Sequence, residues 1–190
     1  MVAFAISVFV LVALLSYLVV IYNGLLRVSA GVKLAWSNID VLLVQRHEEL
    51  PKLVEVCRQY MQYEGDTLER VMRARSAADA ARSSGNVTSV AAAERDVQTG
   101  LNGLYAVAER YPDLKANEAF RQLQARISGL ETAITDRREL YNDSVNANNI
   151  RIQTFPDVLV AQFGNFPPAK LLQFQTEEKA DVDVKALFAR

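Results

Sequence analysis

The chain opens on an unbroken apolar run and then changes to a regular alternation of apolar and polar positions. From Val2 to Tyr22 only Ser7 and Ser16 interrupt the hydrophobic side chains, and no charge, Pro or Gly occurs. As a helix rising ~1.5 Å per residue the run is ~32 Å long, which matches a bilayer core of ~30 Å. It predicts a transmembrane helix over residues 1–22. A cleaved secretory signal would need a basic segment first, a shorter apolar stretch and a small-residue cleavage site. No Lys or Arg precedes the run and Ser29-Ala30 is a poor cleavage site, so the span is read as retained.

Beyond it, apolar or small residues recur in steps of three and four: Leu25, Val28, Val32, Ala35, Ile39 and Leu42, then Leu50, Leu53, Cys57, Tyr60, Leu68 and Val71. That spacing is one face of a helix. Arg46, Glu64 and Arg75 stand on the stripe where an apolar residue would be expected. Pro51 removes one helical hydrogen bond and biases Leu50 away from helical angles. Because the stripe keeps its register across Pro51, a kinked, nearly continuous helix over about 23–82 is preferred. A break at Pro51 that folds the chain back is the alternative, and the sequence leaves it open.

Ser83, Ser84, Gly85 and Asn86 form a turn, with Gly85 suited to a left-handed position after a helix. A second stripe of Val90, Val97, Leu101, Leu104, Tyr105 and Ala108 predicts a helix over about 88–110. Gly100 and Gly103 cost that helix about 1 kcal/mol each relative to Ala, so close helix approach is their expected reason. Tyr111-Pro112-Asp113 ends it, and Asn117 is a good N-cap for a third helix over 117–154. Its seam runs Phe120, Leu123, Ile127, Leu130, Ile134, Arg137, Tyr141, Val145, Asn148, Ile152 and Phe155 at near-heptad spacing. Short loops make the helices antiparallel neighbours. The fold class is therefore all-α: an N-terminal transmembrane helix, then an antiparallel bundle of long coiled-coil-like helices over 23–155.

Residues 156–190 are expected to form an irregular aromatic tail with a possible short strand at Val182 and Val184. Five of the eight Phe residues, Phe155, Phe163, Phe166, Phe174 and Phe188, fall at or after position 155, beside Pro156, Pro167 and Pro168. The tail is read as a lid on the bundle's end or as a docking surface for another subunit or the bilayer. Phe155, Phe163, Phe166, Phe174, Val182 and Val184 are its candidate contacts.

Composition sharpens this picture. The whole chain of 190 residues is 51% hydrophobic; without the span, the body falls in the usual ~45–50% of globular chains. A net charge of −1, with no basic run, excludes a nucleic-acid surface that must displace phosphate counterions. One Cys excludes an internal disulfide, and one His leaves little for a metal or triad site. The Glu-x-x-His pattern of di-iron bundles fails, since Val44 stands three before His47. His47, Glu48 and Glu49 read as a solvated helix face, and Cys57 as a small buried hydrophobe. No phosphate-binding Gly-rich loop or Gly-x-Ser-x-Gly elbow occurs. No catalytic residue, metal or cofactor is expected. The stripe charges Arg46, Glu64, Arg75, Glu131 and Arg137 are read as interhelical ion pairs, because a buried unpaired charge costs several kcal/mol. Trp36 is assigned to packing.

Several blocks resemble the LemA family: Tyr22-Asn23, Ala35-Trp36-Ser37, Ile39-Asp40-Val41, Arg46, Leu50-Pro51, Leu53-Val54, Tyr60, Glu64, Ala74-Arg75, Tyr111-Pro112, Leu114-Lys115-Ala116-Asn117, Leu130-Glu131, Tyr141-Asn142 and Phe155-Pro156. Lys52, where the family commonly has Asn, and Asn148, where it commonly has Tyr, depart from it. The resemblance implies a single-pass membrane protein with a short outer N-terminus, a cytoplasmic helical domain and kinship with magnetosome-membrane proteins. It implies no enzyme activity or cofactor. Arg27 and Lys33 follow the span before the first acid, Asp40, so the positive-inside rule also puts the body in the cytoplasm. The function expected is a non-enzymatic scaffold that contacts membrane lipid and forms a homo-oligomer. A membrane-tethered adaptor recruiting another protein is the alternative.

Overall fold

A single helix, α1 (Val2–Tyr60), carries the chain through the apolar run and on into the body. This computed structural model describes residues 1–172; Phe174, Val182, Val184 and the expected strand lie outside the described residues. Residues 1–20 are exposed throughout, and α1 first becomes buried at Ile21. The most apolar window of α1 has a mean hydropathy of 2.9 with 6% of it buried. Such a surface is matched to lipid rather than water.

α1 passes through Pro51 without ending. Pro51 has no N–H for the carbonyl of His47, four residues back, and Arg75 Nε donates to that carbonyl instead at 2.9 Å. The helix ends at Tyr60, so the continuous helix expected over 23–82 is corrected to two. Met61 folds inward and is buried while Tyr63 is fully turned to solvent, and α2 (Gly65–Ser83) starts after this corner. Glu64 sits in the corner and accepts from Arg110 Nη2 at 2.8 Å and from the Tyr111 hydroxyl at 3.3 Å.

Gly85 adopts a positive φ of 67°, which costs glycine no Cβ clash. Asn86 then caps α3 (Val87–Ala108), its side chain accepting from the amides of Thr88 and Ser89. Gly100 lies over Val71 of α2, whereas Gly103 faces open space, so close helix approach accounts for the first glycine alone. The Tyr111-Pro112 turn contains one short helix, α4 (Pro112–Ala116). Asn117 caps α5 (Glu118–Gln153) by accepting from Phe120 N at 3.0 Å. After Phe155-Pro156 a further helix forms, α6 (Asp157–Phe163), which corrects the expectation of an irregular tail from 156. Asp157 in its first turn complements the helix dipole, and Ala161 is buried among Ile21, Leu25 and Ile152.

α5 runs antiparallel to α1 for its whole length. The Asn117 amide donates to the Tyr60 hydroxyl at 3.0 Å, Arg126 lies 3.6 Å from Glu49, Trp36 packs edge-on against Tyr141 with ring centroids 5.7 Å apart, and Arg151 lies over Gly24. Each step forward on α5 is thus a step back on α1. α2 and α3 form the other side of the bundle. The core falls into three apolar clusters: one far from the span around Leu50, Leu53, Leu101 and Ile127, one around Ile39, Leu43, Val90 and Ile134, and a small one at the span's end around Ile21, Leu25 and Ile152.

Candidate functional site

Between the first two clusters all four long helices contribute a charged residue at one level. On α1, Leu43, His47, Leu50 and Val54 step by four, three and four along the inward face, and Arg46 adjoins it. On α3, Val90, Glu94 and Val97 do the same. Arg46, His47 and Glu94 are each 2% exposed. Arg46 Nη2 forms an ion pair with Glu94 Oε2. His47 stands between two acids, Nδ1 at 2.8 Å from Asp79 Oδ1 and Nε2 at 3.1 Å from Glu94 Oε1. Asp79, on α2, is also reached by Arg75 and Arg82, and Arg82 Nε donates to Asp40 at 2.7 Å. α5 supplies Glu131 and Arg138, whose charges act on Arg46 and Glu94. The layer sets Arg46, His47 and Arg138 against Asp79, Glu94 and Glu131.

Burial draws the Asp79 carboxyl upward, but the His47 hydrogen bond and the charges of His47, Arg75 and Arg82 outweigh it and leave its pKa below the ordinary value. Burial raises Glu131, against the opposing pull of Arg46 and a hydrogen bond with Gln98. Burial, with repulsion from Arg46, lowers Arg138. Cys57 is fully buried, and its thiol is pushed up to about 12, which keeps it in the unreactive thiol form. Among the described residues, no group of three or more His, Cys, Asp or Glu side chains could hold a metal ion. The layer's chemistry is charge pairing across helices.

Two expectations are corrected here. His47 is buried in the layer instead of lying on a solvated face, because Asp79 and Glu94 supply partners from two other helices. Arg137 is exposed, and its neighbour Arg138 takes the inward position, since the seam steps by four from Ile134 and then three to Tyr141. Arg46 meets Glu94, Glu64 meets Arg110, and Arg75 meets the His47 carbonyl and Asp79. The spacing on α3 held the signal for Glu94; nothing local marked Asp79.

At the membrane end, α5 holds the chain that follows α6. Asn149 accepts from Ala169 N and donates to Ala169 O, each at 2.9 Å. Asn142 does the same for Leu172, at 2.9 and 3.0 Å. The Tyr141 hydroxyl donates to Lys170 O at 2.9 Å. Asparagines seven apart on a helix are ~10.5 Å apart, which matches three residues of extended chain at ~10 Å. Asn148, beside them, is buried and donates to Asn149 Oδ1 at 3.3 Å. Of the tail aromatics, Phe166 packs edge-on against Tyr22 at 5.6 Å, whereas Phe155 and Phe163 are exposed.

This arrangement can be set beside known proteins. Protein LemA of Metamycoplasma hominis is 27% identical over 165 residues, covering 87% of this chain and 74% of that one. Magnetosome protein MamQ 2 of Paramagnetospirillum magneticum is 23% identical over 191 residues, covering 88% and 70%. Magnetosome protein MamQ of Magnetospirillum gryphiswaldense is 21% identical over 185 residues, covering 85% and 68%. The model of the LemA family matches residues 35–186, most of the helical body and the chain after it, and the protein belongs to the LemA family.

Proposed function

We propose that this chain is a non-enzymatic, single-pass membrane scaffold whose helical body self-associates in the plane of the membrane and organises or shapes it. The observation that carries this reading is α1 itself: span and body share one uninterrupted helix, so the body has no flexible linker about which to turn. Subunits joined at the body therefore impose an orientation on their spans. The exposed outer side of α1 also stays apolar beyond the span, at Leu26, Leu34 and Val41. Leu34 and Val41, seven apart, share one strip on which a second copy can pack. The buried charges pair with one another across helices, which supports a structural role. Likeness to proteins named for the magnetosome points the same way.

The N-terminus is placed outside and the body in the cytoplasm, on the strength of Arg27 and Lys33; a reporter fused after Arg190 and active only outside the cytoplasm would reverse this. Cross-linking tests the self-association directly. Because Cys57 is buried with a raised pKa, Val41→Cys supplies the reactive thiol. Oxidation of native membranes is expected to give a disulfide-linked dimer through Cys at position 41. A monomer both there and by light scattering in mild detergent would overturn the scaffold. Capture of a distinct protein by that monomer would favour a membrane-tethered adaptor.

A further inference from the structure

The end of the body nearest the span carries an apolar surface that the described chain leaves uncovered. Phe155 is 76% exposed, Leu159 50% and Phe163 92%. Leu159 and Phe163 lie four apart on the outer face of α6, and Phe155 lies in the turn before it. We propose that this corner is a lipid-binding foot, which seats Phe155, Leu159 and Phe163 in the interfacial zone of the same bilayer that α1 crosses; the inference rests on the reading of residues 1–22 as a membrane span.

Register fixes the level of the foot. Trp36 opposite Tyr141 and Gly24 beside Arg151 show α5 descending as α1 rises. Carried on to the end of α5, the same register brings Phe155 opposite Tyr22, the last residue of the apolar run. α6 then crosses at that level, because its Val160 and Ala161 pack with Ile21, Leu25 and Ile152.

The foot is also held in one orientation. Arg151 Nε donates to Asp157 Oδ2 at 2.8 Å, tying the last turn of α5 to the first turn of α6. Gly24 has no side chain, and the Arg151 guanidinium occupies the space where a Cβ would stand. Phe166, after α6, packs on Tyr22. With its inner face committed to α1 and α5, α6 turns outward the side that carries Leu159, Gln162 and Phe163. Exposed aromatic and aliphatic side chains at the level where a span leaves the hydrocarbon are matched to the headgroup and acyl boundary. The exposed Arg27, on the body side of Tyr22, suits the headgroups beyond. Continuity with the span thus selects lipid as the occupant.

The test uses the full chain in phosphatidylcholine and phosphatidylglycerol vesicles. Trp36→Phe removes the native indole while keeping a ring against Tyr141, and Phe163→Trp then reports the foot. Its emission is expected to be blue-shifted and to be quenched more strongly by lipids with a nitroxide high on the acyl chain than by lipids with one deep in it. Val12→Trp in the same background is expected to show the opposite order. Emission at Phe163→Trp like that of a water-exposed indole, quenched by aqueous acrylamide but not by either lipid, would overturn the foot while a normal Val12→Trp result leaves the span intact. A blue shift insensitive to nitroxide lipid and reversed by diluting the protein in the bilayer would assign the face to a second copy instead. Loss of quenching at Val12→Trp would overturn the span, and the foot with it.

Discussion

Pro51 leaves the His47 carbonyl without its helical donor, and a guanidinium from another helix takes that place. Arg75→Ala should cost about 1.5 kcal/mol, the low end for a hydrogen bond to a charged group because Arg75 is partly exposed. Pro51→Ala restores a backbone N–H at the same carbonyl. In that background Arg75→Ala should cost about 1 kcal/mol less, a coupling that a double-mutant cycle of urea unfolding in micelles reads directly. Additive changes would show that the two residues act independently. A larger effect belongs to Glu94. Removing it leaves Arg46 and His47 buried without it, so Glu94→Ala should destabilise by about 3–5 kcal/mol, while Arg46→Met with Glu94→Leu together should lie near the wild type.

The same layer gives stability a pH dependence of known sign. Glu131 has a pKa raised above its ordinary 4.5, so its contribution is complete below that value and is lost as pH rises through the folded-state pKa. Asp79 has a pKa lowered from 3.8, so its contribution is present above 3.8 and is lost as pH falls through the folded-state pKa. Taken together these two acids favour the interval between 3.8 and 4.5. Glu131→Gln should remove the decline that begins above 4.5 without steepening the acid limb, as followed by thermal melts across pH. An unchanged decline above 4.5 would assign that slope to another group.

At the scale of elements, the clamp on α5 works because an asparagine amide sets an N–H donor beside an oxygen acceptor, as a neighbouring strand would. Asn149→Ala removes both from Ala169, and faster hydrogen exchange at the Ala169 amide, with Leu172 still protected, is the expected readout. Equal deprotection of both would mean that the segment is held as one piece. Elements whose causes are local could be read from the sequence: the apolar run, the Gly85 turn, and the Asn86 and Asn117 starts of α3 and α5. Passage through Pro51 could not be settled there, because Arg75 lies on another helix. The corner after Tyr60 left a trace in the step of eight between Tyr60 and Leu68, which Glu64 divides into two steps of four. Arg137 and Arg138 are equally spaced between Ile134 and Tyr141, by three then four or by four then three, and only packing chooses between them. His47 stands one residue beside Arg46 on the stripe, and its acidic neighbours Glu48 and Glu49 gave it the look of a wet face.

For the whole molecule, the consequence of α1 is that rotation of the span and rotation of the body are one variable. Val12 and Val41 are 29 residues apart, about eight turns at 3.6 residues each, and therefore share a side of the helix. If subunits pack along that side, Val12→Cys and Val41→Cys should each give oxidative dimers in native membranes. One alanine inserted between Val20 and Ile21 turns the span by about 100° against the body. At least one of the two cross-links should then be lost, because both sides can no longer face the partner together. Four inserted alanines make slightly more than a turn and should restore both. Loss with one residue and recovery with four would show that the helix transmits orientation across the membrane boundary. Cross-links that survive every insertion would mean that span and body turn separately, and a scaffold of this kind could then join its subunits without setting the geometry of the membrane around them.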